Sequence, residues 1–218
     1  MNLRGASNTQ TIRQSVQRAE SRNVCLPIHR PLRARFVIVT ARIAALVPMR
    51  HHSERVPGKN YRPFNGRPLY HYIVETLLAC PLVTQVVIDT DSHIILDEAK
   101  EIFPQVQLIR RPEHLRADTT PTNDVLINDL SQLDADFYLQ THCTNPLLST
   151  TSINAAIELF LDQYPIYDSL FGVTRLQTRL WDSLGRAVNH NPAILIRTQD
   201  LPPIYEENSC LYLFTREV

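Results

Sequence analysis

No uninterrupted apolar run in this sequence reaches the ~18 residues that a membrane-spanning helix requires. The best stretch, Phe36 to Met49, is broken by Arg42. There is no apolar h-region near the N-terminus, so a secretory signal is not expected. Formal net charge is zero, with 22 basic and 22 acidic residues, which disfavours a nucleic-acid or anionic-membrane partner. Cys25, Cys80, Cys143 and Cys210 are far apart and form no C-x-x-C, so a zinc ribbon or thioredoxin-like motif is unsupported. A chain of 218 residues buries enough core to need no disulfide staples, and free thiols in a reducing cytoplasm are expected. Two phosphate-binding fingerprints are also missing, the G-x-x-x-x-G-K-[ST] loop and the dinucleotide G-x-G-x-x-G.

The zero charge hides an asymmetry. Residues 1–42 hold eight arginines and one acid, Glu20, which leaves 14 basic and 21 acidic groups in residues 43–218. An Arg-rich, acid-poor N-terminus resembles an organellar transit peptide in composition. The simpler reading is a disordered extension or a misassigned start over 1–42, followed by one domain over 43–218. An acidic body that binds a phosphate-rich ligand must concentrate its cations locally, so the place where they cluster is informative.

From Ile43 onward strand and helix signals alternate. Ile43–Val47 is a short apolar run ended by Pro48 and reads as a buried strand. Pro68 opens a helix carrying Leu69, Tyr72, Ile73 and Leu77, which Pro81 ends. Strands follow at Gln85–Asp89, Val106–Ile109, Phe137–Leu139 and Leu170–Val173, with a late one at Cys210–Phe214. Ser92 is placed to cap one intervening helix, Thr122 or Asn123 another, and Ser149–Thr151 opens a third. Strands apolar throughout, each followed by a helix, imply an α/β fold with a doubly wound, mostly parallel sheet. Ligands in such sheets bind at the carboxyl ends of the strands, near the switch in strand order.

The segment after the first strand fits that rule. Met49-Arg50-His51-His52-Ser53-Glu54-Arg55-Val56-Pro57-Gly58-Lys59-Asn60 brings three cations, a hydroxyl and a glycine into twelve residues. Cations and free backbone N–H groups on a loop leaving a strand suit a polyphosphate. Asp89 and Asp91, two residues apart, are weak candidates for a metal pair. Against that, one can cap the next helix while the other fixes the loop. The adjacent pairs His51-His52 and His142-Cys143 cannot readily chelate one ion in regular structure.

"MRHHSERVPGKN" resembles the N-terminal signature of the acylneuraminate cytidylyltransferases, the CMP-sialic acid synthetase family. "SERVPGK" is also close to the loop of the related octulosonate cytidylyltransferases. The resemblance continues in order through "DTDS" at 89–92, "RRPEHLRADTTPT" at 110–122, "LQTHCTNPL" at 139–147 and "LPPIYEENSCLY" at 201–212. It implies a nucleotidyltransferase fold, glycosyltransferase-A-like and Rossmann-type. It also implies transfer of CMP from CTP to an acylneuraminate-like acidic sugar with release of pyrophosphate. Arg50, Ser53, Lys59 and Asn60 would contact the triphosphate, with Arg50 and Lys59 stabilising charge in the transition state. Arg55 can serve where family members carry a base at the position of Glu54. Arg111 would sit by the nucleotide, and Thr120 and Thr122 would read the cytosine edge. Asp118 is expected to hold its loop by bonding its own backbone. Gln140 and Asn208 would contact the sugar.

The sequence departs from the family in two places. Where sialic acid enzymes carry an arginine for the sugar carboxylate, this chain has Tyr205-Glu206-Glu207, so Arg197 or Arg179 would have to supply that charge. An octulosonate-type sugar, or a silent nucleotide-sugar binder, therefore stays open. The family's Mg²⁺ ligands lie in an Asp-Ile-Asp segment that would fall after Val218. On that basis the chain reads as a fragment, and weak or no turnover is expected of residues 1–218. Family members are commonly dimers, and Leu176–Pro203, with Trp181, would occupy the contributing segment.

Overall fold

The computed structural model describes residues 41–218. Cys25 and the proposed extension up to residue 40 lie outside the described residues. Arg42 does not belong to an extension. Its Nη1 lies 2.6 Å from Asp134 and its Nη2 3.0 Å from Asp136, and its main-chain N–H donates to Asp136 at 2.8 Å. The folded body therefore begins before Ile43.

The elements run in the order β1 (Ile43–Met49), β2 (Pro63–Phe64), β3 (Arg67–Pro68), α1 (Leu69–Leu78), β4 (Gln85–Thr90), α2 (His93–Ile102), β5 (Gln107–Arg110), α3 (Thr122–Leu130), β6 (Phe137–Thr141), α4 (Thr150–Gln163), β7 (Ser169–Leu176) and β8 (Ile204–Phe214). One sheet has the order β5-β4-β1-β6-β8-β7. The β4–β1, β1–β6 and β4–β5 pairs are parallel, and β8 runs antiparallel to β6. The chain leaves β1 toward β4 and β5, then returns to the other side of β1 with β6. The switch in strand order therefore falls between β1 and β6.

Strand alternation separates two cores. Ile43, Ala45, Val47 and Met49 join the larger cluster with Ile73, Ile95, Ile153 and Phe160 from α1, α2 and α4. Ala44 and Leu46 point to the opposite face and meet Val87, Leu126, Leu130 and Tyr138. Both faces of β1 are thus covered, as its unbroken apolar run requires.

Three local expectations are corrected. Pro48 does not end β1, which continues to Met49 with Pro48 paired to Asp89. A proline lacks a ladder donor. It is tolerated here because β6 pairs with β1 only as far as Leu46, so one neighbour has already parted. Neither Thr122 nor Asn123 caps α3. Pro121 holds the N-cap position, with no side-chain hydrogen bond. Asp89 and Asp91 do not cap α2 either, since Ser92 accepts from the Ile95 N–H. Ser149 caps α4 in the same way through Ser152.

The described residues fall into two compact units, 41–174 with 206–218, and Arg175–Tyr205. In the second unit Gln177 donates to Leu201 O at 2.6 Å and Trp181 packs edge-on against His190. No helix among the described residues is long and apolar enough to cross a membrane.

Candidate active site

The loop after β1 folds on itself before it reaches α1. Lys59 N donates to Val56 O and Tyr61 N to Gly58 O, each at 3.1 Å. Gly58 has φ 66, and a Cβ there would lie 2.8 Å from the Tyr61 ring. A side chain is therefore excluded both by backbone conformation and by contact. The backbone at Gly58 thus lies close against Tyr61. A two-residue turn, Asn65 (φ 48) and Gly66 (φ 87), then joins β2 to β3, as Asn-Gly hairpins do.

A cavity of about 350 Å³ opens at the switch point, lined by Arg50, Ser53, Arg55, Lys59, Asn60, Arg111, Thr120 and Thr122. All eight residues expected at the nucleotide therefore line one space. Their roles in it differ. Asn60 is buried, and both ends of its amide are used: Nδ2 donates to Arg50 O at 2.7 Å and Oδ1 accepts from Cys143 Sγ at 2.8 Å. Arg111 is also buried, and its guanidinium donates through Nε and Nη2 to Asp89 Oδ2. Arg50 Nη1 lies 2.5 Å from Asp118 Oδ1. Asp118 therefore holds the loop cation rather than its own backbone.

The acidic pair Asp89–Asp91 does not form a metal site. Asp89 serves Arg111, and Asp91 Oδ1 accepts the His51 N–H at 2.6 Å. No group of three His, Cys, Asp or Glu suited to a metal occurs among the described residues. Behind Arg111 lies a buried acid absent from the sequence reading, Asp129 on α3. Burial, reinforced by the Asp89 charge, pushes its carboxyl up to about 7. Burial also raises Asp89, against the opposing pull of Arg111. Asp89 Oδ1 and Asp129 Oδ2 have no hydrogen-bond partner.

A second cavity, of about 700 Å³, lies on the α3 face of the sheet over β6, β7 and β8. Gln140 lines it, as expected of a sugar contact. Asn208 does not: its Nδ2 turns to Thr174 Oγ1 at 3.3 Å and its Oδ1 accepts the Cys210 N–H. Its neighbours Glu207 and Ser209 line the cavity instead, with Ser209 at φ 52. In a strand, successive side chains point to opposite faces, so Asn208 faces away from the cavity that its two neighbours line. Arg197 belongs to the other unit, where it pairs with Asp200 at 2.7 Å. Arg179 in that unit donates to Ile196 O at 2.5 Å. The cation that lines the second cavity is Arg216, which the sequence reading missed. Its Nη2 donates to Leu133 O and Tyr138 OH, each at 2.6 Å. Among the described residues only Thr122 and His142 line both cavities.

An α/β nucleotidyltransferase-like fold, with a cation-lined loop cleft at its switch point, defines the class of protein. The particular family follows from comparison. A family model described as "Cytidylyltransferase" matches residues 44–218, and the chain belongs to that family. It is 30% identical over 187 residues to CMP-N,N'-diacetyllegionaminic acid synthase of Legionella pneumophila, covering 80% of this chain and 78% of that protein. It is 32% identical over 118 residues to 8-amino-3,8-dideoxy-manno-octulosonate cytidylyltransferase of Shewanella baltica, covering 54% of this chain but only 47% of the relative. The chain thus spans about half the length of relatives of that second kind. Among solved structures, a CMP:2-keto-3-deoxy-manno-octonic acid synthetase complexed with CTP aligns over 82% of this chain and 76% of its own. The TM-score is 0.64 and the identity 17%, which bears on the fold alone.

Proposed function

We propose that this protein transfers CMP from CTP to an eight- or nine-carbon acidic keto sugar and releases pyrophosphate. The observation that carries the reading is the convergence of Arg50, Ser53, Arg55, Lys59 and Arg111 on one cavity that abuts a second, larger one through His142 and Thr122. The sugar oxygen attacks the α-phosphorus, the bond to the β-phosphate breaks, and charge builds on phosphate oxygens. Fixed cations in the smaller cavity stabilise that charge. Thr120 and Thr122 read the base. Gln140 meets the sugar, and Arg216 meets its carboxylate. Mg²⁺ enters this reading as the counter-ion of the triphosphate.

The relatives' names support an acidic sugar acceptor of either the legionaminate or the octulosonate type. An acylneuraminate is one member of that range. Two copies pairing through the 175–205 unit, where Trp181 and Leu195 are exposed, complete the reading and are testable by sedimentation.

The test is pyrophosphate release from CTP with a panel of eight- and nine-carbon keto acids in Mg²⁺. Residues 1–218 are run beside a version extended after Val218 by the Asp-Ile-Asp segment that the family resemblance implies. Release that requires both CTP and one class of sugar is expected. CTP binding with no release from either chain favours a silent nucleotide-sugar binder, and no CTP binding removes the reading.

A further inference from the structure

His142 stands between the two cavities. It follows β6, two residues beyond Gln140, and is one of two described residues that line both spaces. The other is Thr122, whose hydroxyl cannot take a proton near neutral pH. Gln140 Nε2 lies 3.4 Å from His142 Nε2. The two nitrogens are within reach of each other, with the donor and acceptor set by the imidazole tautomer. His142 Nε2 thus faces Gln140, on the side of the second cavity.

We propose that His142 is the general base that takes the proton from the attacking sugar hydroxyl, an assignment that rests on the cytidylyltransfer reading above. The sugar oxygen forms its bond to the α-phosphorus as its proton passes to Nε2. The α–β phosphoanhydride P–O bond breaks, and pyrophosphate leaves with the bonding electron pair. The imidazolium then releases its proton to solvent or to the departing pyrophosphate. No oxidant or further reactant is needed.

The surroundings suit a base that must be neutral beforehand. Burial lowers the His142 pKa, and the charge of Lys59 lowers it further. The charged groups sharing its first cavity are Arg50, Arg55, Lys59 and Arg111 against Glu54 and Asp118. Glu207 and Arg216 share the second. Cations outnumber acids around the first cavity, so an uncharged ring is favoured until the triphosphate arrives. A bound polyanion then raises its proton affinity at the step where a proton must be accepted.

Two measurements test this. The first compares pH profiles of kcat for the unsubstituted protein with those of His142→Gln and His142→Asn, with CTP affinity measured separately. A fall in kcat of about 10²- to 10⁴-fold is expected, with CTP affinity changed less than about three-fold and the acidic limb of the profile lost. Equal kcat, or an unchanged acidic limb in a variant that binds CTP, overturns the assignment. Absence of CTP binding by the unsubstituted protein overturns the cytidylyltransfer reading and this inference with it. CTP binding with an unaffected variant overturns the inference alone. The second measurement needs no turnover: the His142 ring is titrated by NMR, assigned from its loss in His142→Gln. A neutral ring at pH 7 without CTP, with its titration moved upward by CTP, is the expected result. A ring already protonated at pH 7, or one insensitive to CTP, overturns the assignment.

Discussion

Asn60 and Cys143 are joined by a hydrogen bond of 2.8 Å between the thiol and the amide oxygen, although 83 residues separate them. The same amide holds Arg50 O, so one buried side chain ties the loop after β1 to the segment after β6. Asn60→Ala leaves the Arg50 carbonyl without that donor and the thiol without that acceptor. It is expected to cost about 1–3 kcal/mol of stability and to weaken CTP binding at least ten-fold, read by thermal melts and calorimetry. Cys143→Ser keeps a donor and should retain most of both.

Arg50 is held by Asp118 at 2.5 Å, with both side chains about half exposed. A triphosphate must compete for that guanidinium. An exposed pair of this kind is worth about 0–1 kcal/mol, so Asp118→Asn should tighten CTP binding up to about five-fold. Arg50→Ala removes a charge-assisted contact and should weaken it about ten- to hundred-fold. Titration of each variant with CTP at fixed ionic strength checks both signs.

Asp129 gives a pH dependence of folding. Its folded carboxyl titrates near 7, above the unfolded value of about 3.9. Between these values the folded state holds a proton that the unfolded state has lost, so stability falls as pH rises from about 4 to 7. The contribution is fully present below about pH 4 and is gone above about pH 7. Asp129→Asn removes this slope. Denaturant unfolding should find the variant more stable than the parent by roughly 2–4 kcal/mol at pH 8 and nearly equal to it at pH 4.

Arg216 lines the second cavity and not the first. Arg216→Met should raise the KM for the acidic sugar about ten-fold or more while leaving CTP affinity within about two-fold. Loss of its bonds to Leu133 O and Tyr138 OH adds a stability cost of about 1–2 kcal/mol, visible in a melt. Equal loss of CTP and sugar binding would place Arg216 outside the acceptor site.

Much of the fold was legible because it is written in local pattern. Unbroken apolar runs marked β1, β4 and β6, and Ser92 and Ser149 announced their helices. The loop from Arg50 to Asn60 stood out because three cations fall close together directly after a buried strand, and the structure brings them to one cavity. Asp129, Arg216 and His142 were not. Each sits in an ordinary polar context along the chain and acquires its part from distant neighbours: Asp129 from Asp89, Arg216 from Tyr138, and His142 from Lys59.

The sequence by itself determined the parallel α/β frame, the place of the cationic loop at a strand end, and the kinship with cytidylyltransferases, because these rest on periodicity and contiguous motif. Only the tertiary structure decided which of those residues face the cavity and which hold it together. Burial and pairing are set by groups brought near through the fold: Arg111 is taken by Asp89, Asn60 by Cys143, and Asn208 turns to Thr174 while Glu207 and Ser209 line the second cavity. Desolvation and electric field depend on three-dimensional surroundings, so the proton-accepting character of His142 is likewise a property of the folded chain.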